Sequence, residues 1–216
     1  MNTVYNSASR LSQETSYYVY TMWAALLFSA LFAVYRGDWI TVFVSILTLA
    51  LSMYALHMSR KVGLRVPSSL LTATIFFIYF SLFWGEVYNY YERFWWWDVL
   101  LHAWSAIGFG LIGAITLIFI FRRNKVVASP FMISVFAFSF SLAIGALWEI
   151  VEFGLDIFLG WNLQKSGLFD TMGDLIVDTG GALIGAGAAY VYLRWNVRTF
   201  FASLMREVFD ENISLP

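Results

Sequence analysis

Six stretches of this chain run without a charged side chain, and their lengths decide which solvent it can fold in. Between Glu14 and Arg36 lie 21 uncharged residues, between Asp38 and Arg60 another 21, and between Arg65 and Glu86 there are 20. Asp98 to Arg122 and Lys125 to Glu149 enclose 23 each. About 20 apolar residues, rising ~1.5 Å apiece, carry a helix across ~30 Å of hydrocarbon. Charged side chains are only 12% of the sequence, against about 25% in soluble domains, too few to cover a water-facing surface. The pattern predicts an all-α integral membrane protein, a six-transmembrane-helix bundle with both termini cytoplasmic. It reads as a single membrane domain, 1–216, with helices at about 17–35, 39–57, 68–87, 97–121, 131–158 and 173–193. The polar residues 1–16 enter the first run without a small-residue cleavage site, which reads as a retained signal-anchor.

The sixth run is the informative one. Asp178 and Arg194 enclose only 15 residues, so the helix must reach back through Asp178 and Asp174 to cross. A carboxylate at that depth costs roughly 2.5–3.5 kcal/mol on insertion scales, so several of them imply a compensating partner.

Orientation follows from the basic residues. Arg10, Arg60, Lys61, Arg65, Arg122, Arg123, Lys125, Arg194, Arg198 and Arg206, ten of thirteen, fall on one side, and only Arg36, Arg93 and Lys165 on the other. That places both termini in the cytoplasm. Ten of the fourteen acids take the outer side: Asp38, Glu86, Glu92, Asp98, Glu149, Glu152, Asp156, Asp170, Asp174 and Asp178. The outer loop at about 159–171 is long enough to fold back as a lid.

Three local patterns converge. Asp98 and His102 are four apart and share one helix face. Glu149, Glu152 and Asp156 form one stripe on the fifth helix, and Asp170, Asp174 and Asp178 repeat every four residues into the sixth. Counting helical rise from Arg122, Pro130 and Arg194 puts His102, Glu149 and Asp174 at a common height of about 30 Å. Carboxylates so concentrated must be protonated or held by a cation. One imidazole among carboxylates suits a divalent metal such as Zn, Mn, Fe, Mg or Ca. His102, Glu149, Glu152 and Asp174 are the expected ligands, with Asp98 and Asp178 as the catalytic pair or second ligand set. Glu86 and Asp170 stand at the rim. Each has a plainer reading: Asp98 and Asp170 as helix caps, Glu152 and Asp156 as solvated acids, His57 as an interfacial histidine.

Other patterns carry less. The sequence Gly108-Phe109-Gly110-Leu111-Ile112-Gly113 matches G-x-G-x-x-G but lies mid-helix with no strand before it, so it reads as packing. Gly181 and Gly185 give the sixth helix a close-packing face. Trp95 to Trp97, with Tyr88, Tyr90 and Tyr91, read as an interfacial belt. The chain has no cysteine, which excludes thiolate chemistry, and nothing points to nucleic acid.

Together, Trp97-Asp98-Val99-Leu100-Leu101-His102, Trp148-Glu149-Ile150-Val151-Glu152 and Asp170-Thr171-Met172-Gly173-Asp174-Leu175-Ile176-Val177-Asp178-Thr179-Gly180-Gly181-Ala182 resemble the YjdF-like bacterial inner-membrane proteins. More distantly they are similar to the VanZ-like family, some members of which are linked to glycopeptide resistance. The resemblance covers about residues 95–190, the order and composition of the three motifs being its whole content. It implies a multi-pass protein of the cell inner membrane. VanZ-like proteins tend to carry Gln and Asn where this chain has Glu152 and Asp178, so this site is the more acidic.

Three functions fit these residues. The first is a metal-dependent hydrolase acting on a lipid-linked or cell-envelope substrate, with membrane lipids as surroundings. The second is a binding or scaffold protein with a structural metal. The third is a cation or proton transporter, which should continue its polar residues to the cytoplasmic side. Below Asp178 the sixth helix is apolar and glycine-rich, against a conduit.

Overall fold

A computed structural model describes residues 2–61, 68–123, 128–197 and 200–213, and these are helical almost throughout, with no strand among them. Six helices are long and apolar enough to cross a membrane: Tyr17–Arg36, Trp39–His57, Ser69–Val87, Trp95–Phe121, Pro130–Leu159 and Leu168–Trp195. Of the ten basic residues placed in the cytoplasm, the side chains of Arg10, Arg60, Lys61, Arg65, Arg122, Arg123, Lys125 and Arg198 lie outside the described residues.

The chain divides into two compact units, residues 1–95 with 207–216, and residues 96–206. In the first, α1 (Asn2–Arg36), α2 (Trp39–Lys61) and α3 (Ser68–Ile78) pack on one another. α1 starts far ahead of residue 17 because no Gly or Pro interrupts residues 2–16. Asp38 caps α2: its carboxylate accepts from the Thr41 amide at 3.1 Å and the Thr41 hydroxyl at 2.7 Å. Those bonds hold its carboxyl below the usual range. Val19, Met22 and Ile75 form the core, with Trp23, Leu71, Phe76 and Tyr79 against it. The Trp23 indole donates to the Ser52 hydroxyl at 2.8 Å, satisfying both polar groups between α1 and α2. After α3 the helix widens into a π-helical segment, Tyr79–Val87, and turns at Asn89, with φ 56°, into the short α4 (Tyr90–Arg93).

In the second unit the spanning helices are α5 (Trp95–Arg123, from Trp96 onward), α6 (Pro130–Leu159) and α7 (Leu168–Trp195). α6 has clear punctuation: the Ser129 hydroxyl accepts from the Met132 amide, Pro130 opens the first turn, and Gly160 ends the helix at φ 68°. α7 begins five residues earlier than 173, after Gly167 at φ 64°, and takes in Asp170 as a first-turn acid. The amphipathic α8 (Phe200–Ile213), too polar to span, was not among the expected helices.

α5 and α7 meet backbone to backbone. A Cβ added to Gly181 would lie 2.7 Å from the Ala106 side chain, and one on Gly185 would lie 2.7 Å from the Ile107 carbonyl oxygen. Gly110, from the G-x-G-x-x-G match, faces Gly185, which makes it a packing position. Gly185→Ala is therefore expected to destabilise by about 1–3 kcal/mol, lowering the thermal midpoint by roughly 2–4 °C per kcal/mol. Gly187→Ala, with nothing within 4 Å of the added atom, should not lower the midpoint.

Candidate functional site

The second unit gathers its ionisable side chains around one imidazole. On α5, one helical turn separates Asp98 from His102, and the Asp98 Oδ1 atom lies 3.8 Å from His102 Nε2. Glu149 of α6 brings its Oε1 to 3.9 Å from the same nitrogen. On α7, one ligand atom of Asp174 lies within 4.8 Å of one from Asp98 and one from His102, so these three form a group able to hold an ion. Across the ring, His102 Nδ1 is 3.2 Å from Asp178 Oδ1. His102, Glu149, Asp174 and Asp178 are only 7%, 4%, 5% and 1% exposed, so water does not offset their charges.

Two of these groups are short of partners. Both Glu149 oxygens and Oδ2 of Asp178 are buried with no hydrogen bond among the described residues. Thr171 lies within range of Glu149, and its hydroxyl, which accepts from the Gln164 amide at 2.6 Å, keeps its own proton free to turn toward that carboxylate. Buried carboxylate oxygens are normally bonded, so this deficit asks for a proton, a water or a cation.

The remaining acids sit differently. Glu152 is half-buried and accepts from the Trp148 indole at 2.8 Å, one turn back on its own helix. It is within charge range of Glu149 and Asp98 but is not among the three residues whose ligand atoms converge. Asp98, expected in the catalytic pair or as a second ligand set, belongs to that group. Asp170 is half-buried in the first turn of α7, with Lys165 in charge range. Glu86, expected at the rim, is exposed at the end of the π-helical segment and belongs to the first unit. His57 is likewise in the first unit and exposed.

Asp156 fastens the loop after α6. Its two oxygens accept from the backbone amides of Leu163 at 2.7 Å and Gln164 at 2.9 Å, and the Gln164 side chain donates to Thr171. The loop is a strap tied at both ends. Asp156→Ala removes two hydrogen bonds to a charged acceptor, worth about 1.5–3 kcal/mol each. Amide hydrogen exchange across residues 161–167 should then speed up at least tenfold; unchanged exchange would mean the carboxylate does not hold the strap. Of these partners, Trp148 has a signal in the sequence, its i, i+4 spacing from Glu152; Gln164 and Thr171 have none.

Comparison with known proteins agrees with the membrane reading. The family described as Predicted membrane protein (DUF2238) matches residues 15–195. A Thermotoga maritima protein described as an uncharacterized protein is 35% identical over 112 residues, 49% of this chain and 54% of the relative. The chain thus spans about half the length of that relative. No solved structure matches. With its six candidate spans, the chain is a multi-pass membrane protein.

Proposed function

From a chain that belongs to the DUF2238 family of membrane proteins, we propose a metal-dependent hydrolase with its site at the outer face of the cell inner membrane. Asp98, His102 and Asp174 hold one divalent ion, with Glu149 beside it. The observation that carries this reading is the convergence of those three ligand atoms within 4.8 Å, next to a 4%-exposed Glu149 whose oxygens lack hydrogen bonds. Donors around a tetrahedral Zn ion stand roughly 3.4 Å apart, so these side chains would have to draw together on binding one. An imidazole with two carboxylates suits Zn, Mn or Fe better than Mg.

The roles expected from spacing alone are redistributed. Asp178 faces Nδ1, the nitrogen turned away from the ion, where a carboxylate fixes the ring and leaves Nε2 free to ligate. Glu149 would be the proton acceptor, with the ion, when bound, supplying the Lewis acidity that activates water beside it. Glu152, with one oxygen held by Trp148, is a second acid near the mouth of the site. The orientation rests on the excess of basic residues assigned to the cytoplasmic side, and the lipid-linked or envelope substrate on the site's place at that outer face. The likeness to YjdF-like and VanZ-like proteins adds the motif order and no reaction.

One structural observation weighs against the transport reading. Below Asp178, Gly181 and Gly185 press α7 onto Ala103, Ala106 and Ile107 of α5, and the Ser141 hydroxyl spends its proton on the Ala106 carbonyl. That seam offers no polar path onward.

The test is elemental analysis of the purified full chain, chelated and then exposed to Zn, Mn, Fe(II) or Mg. About one ion per chain is expected, released by acid as the ligands protonate. Absence of stoichiometric metal under all four conditions would end the metal reading. Chelator-sensitive release of water-soluble product from envelope lipid extracts tests the hydrolase; metal binding without it leaves the structural-metal alternative.

A further inference from the structure

The Asp178 carboxylate lies deep between α7 and its neighbours, and its two oxygens meet different things. Oδ1 faces His102 Nδ1 at 3.2 Å. Oδ2 has no hydrogen-bond partner among the described residues and lies against Gly145 of α6. A Cβ built on Gly145 would overlap Oδ2 and lie 2.8 Å from Cγ of Asp178. A side chain there could be admitted only if the carboxylate moved, and at 1% exposure it has little room to do so. Gly145 is one turn before Glu149, so both face the same way on α6. The neighbouring glycine of that helix, Gly154, has nothing within 4 Å of an added Cβ.

We propose that Gly145 is a positioning residue: its missing side chain is the slot that seats Asp178 beneath His102 and so sets which ring nitrogen faces the ion. The hydrogen bond from Nδ1–H to Asp178 holds the imidazole in plane, and Nε2 is left directed toward Asp98 and Glu149. The metal that Nε2 would ligate rests on the function proposed above; the slot and the hydrogen bond do not.

The chain has two histidines, so His57→Gln leaves His102 as the only imidazole. In that background, with the full chain in detergent, ¹⁵N–¹H spectra of labelled histidine should show one slowly exchanging, downfield Nδ1–H resonance, both metal-free and with Zn²⁺. Gly145→Ala should remove that resonance or make it exchange rapidly, and weaken Zn²⁺ binding by roughly 10–100-fold, the usual effect of losing an outer partner of a ligating histidine. Gly154→Ala should change neither. Asp178→Ala should match Gly145→Ala, and the double variant should add no further loss, because both act through one contact.

A Gly145→Ala protein that keeps the resonance and its Zn²⁺ affinity overturns the proposal, as does a parent protein without the resonance. Should Gly145→Ala fail to fold, the double variant decides. Folding restored without the resonance supports the slot; no restoration means that Gly145 packs against something other than Asp178 and overturns it. A parent protein that shows the resonance but binds no Zn²⁺ loses the metal reading alone.

Discussion

His102→Ala should abolish metal binding, with a fall in Zn²⁺ affinity larger than the roughly 100-fold seen when an outer partner is lost. His57, the other histidine, lies in the first unit, so no second imidazole is available within the unit that holds the cluster. The loss also reaches beyond the ligand count. Asp178, Asp98 and Glu149 approach this one ring at 3.2, 3.8 and 3.9 Å, and Asp174 converges on it. Removing the only group in the cluster able to carry positive charge leaves four carboxylates facing one another. Breaking a buried pair this way costs about 3–5 kcal/mol. Calorimetric Zn²⁺ titration and a thermal midpoint on the same preparation check both halves. His102→Ala with parental affinity would show that the imidazole is not a ligand, whatever the midpoint does.

How far this centre was legible in the sequence depends on the kind of contact. The spans were visible because lipid tolerates few charges, and the charge-free runs correspond to the six candidate spans. Asp98 and His102 were visible as a pair because i, i+4 geometry is local. That Glu149 and Asp174 stand close to them was inferable from equal height alone, since His102 sits on a helix that both neighbours must pack against. Side-chain direction was not inferable. Glu152 shares a face with Glu149, yet the indole of Trp148 takes one of its oxygens, and spacing cannot say which of two acceptable partners wins. Asp178 repeats the four-residue period of Asp174 one turn deeper, yet it meets Nδ1, the nitrogen opposite the one that Asp98 and Glu149 face. Gly145 carries no chemistry of its own, and only the approach of α7 gives it a consequence.

Glu149→Gln separates function from stability, because it should move them in opposite directions. The glutamate is 4% exposed and neither oxygen has a hydrogen-bond partner in bonding geometry among the described residues, so in the metal-free protein its charge has lost water and gained little. A neutral amide of the same shape carries far less of that penalty. The metal-free Glu149→Gln protein should be more stable by about 1–3 kcal/mol, the ordinary scale of removing an unsatisfied buried group, raising the midpoint by roughly 2–4 °C per kcal/mol. In the metal-loaded protein that advantage should disappear, since the parent's carboxylate then has a cation beside it and the amide gains nothing comparable. With the proton acceptor gone, hydrolysis should fall by about 10²–10⁴, while Asp98, His102 and Asp174 keep the ion bound. Stability gained where activity is lost is the mark of a strained functional group. An unchanged or lowered metal-free midpoint would mean that Glu149 is already neutral or partnered in the resting protein, and the buried charge would no longer require a cation beside His102.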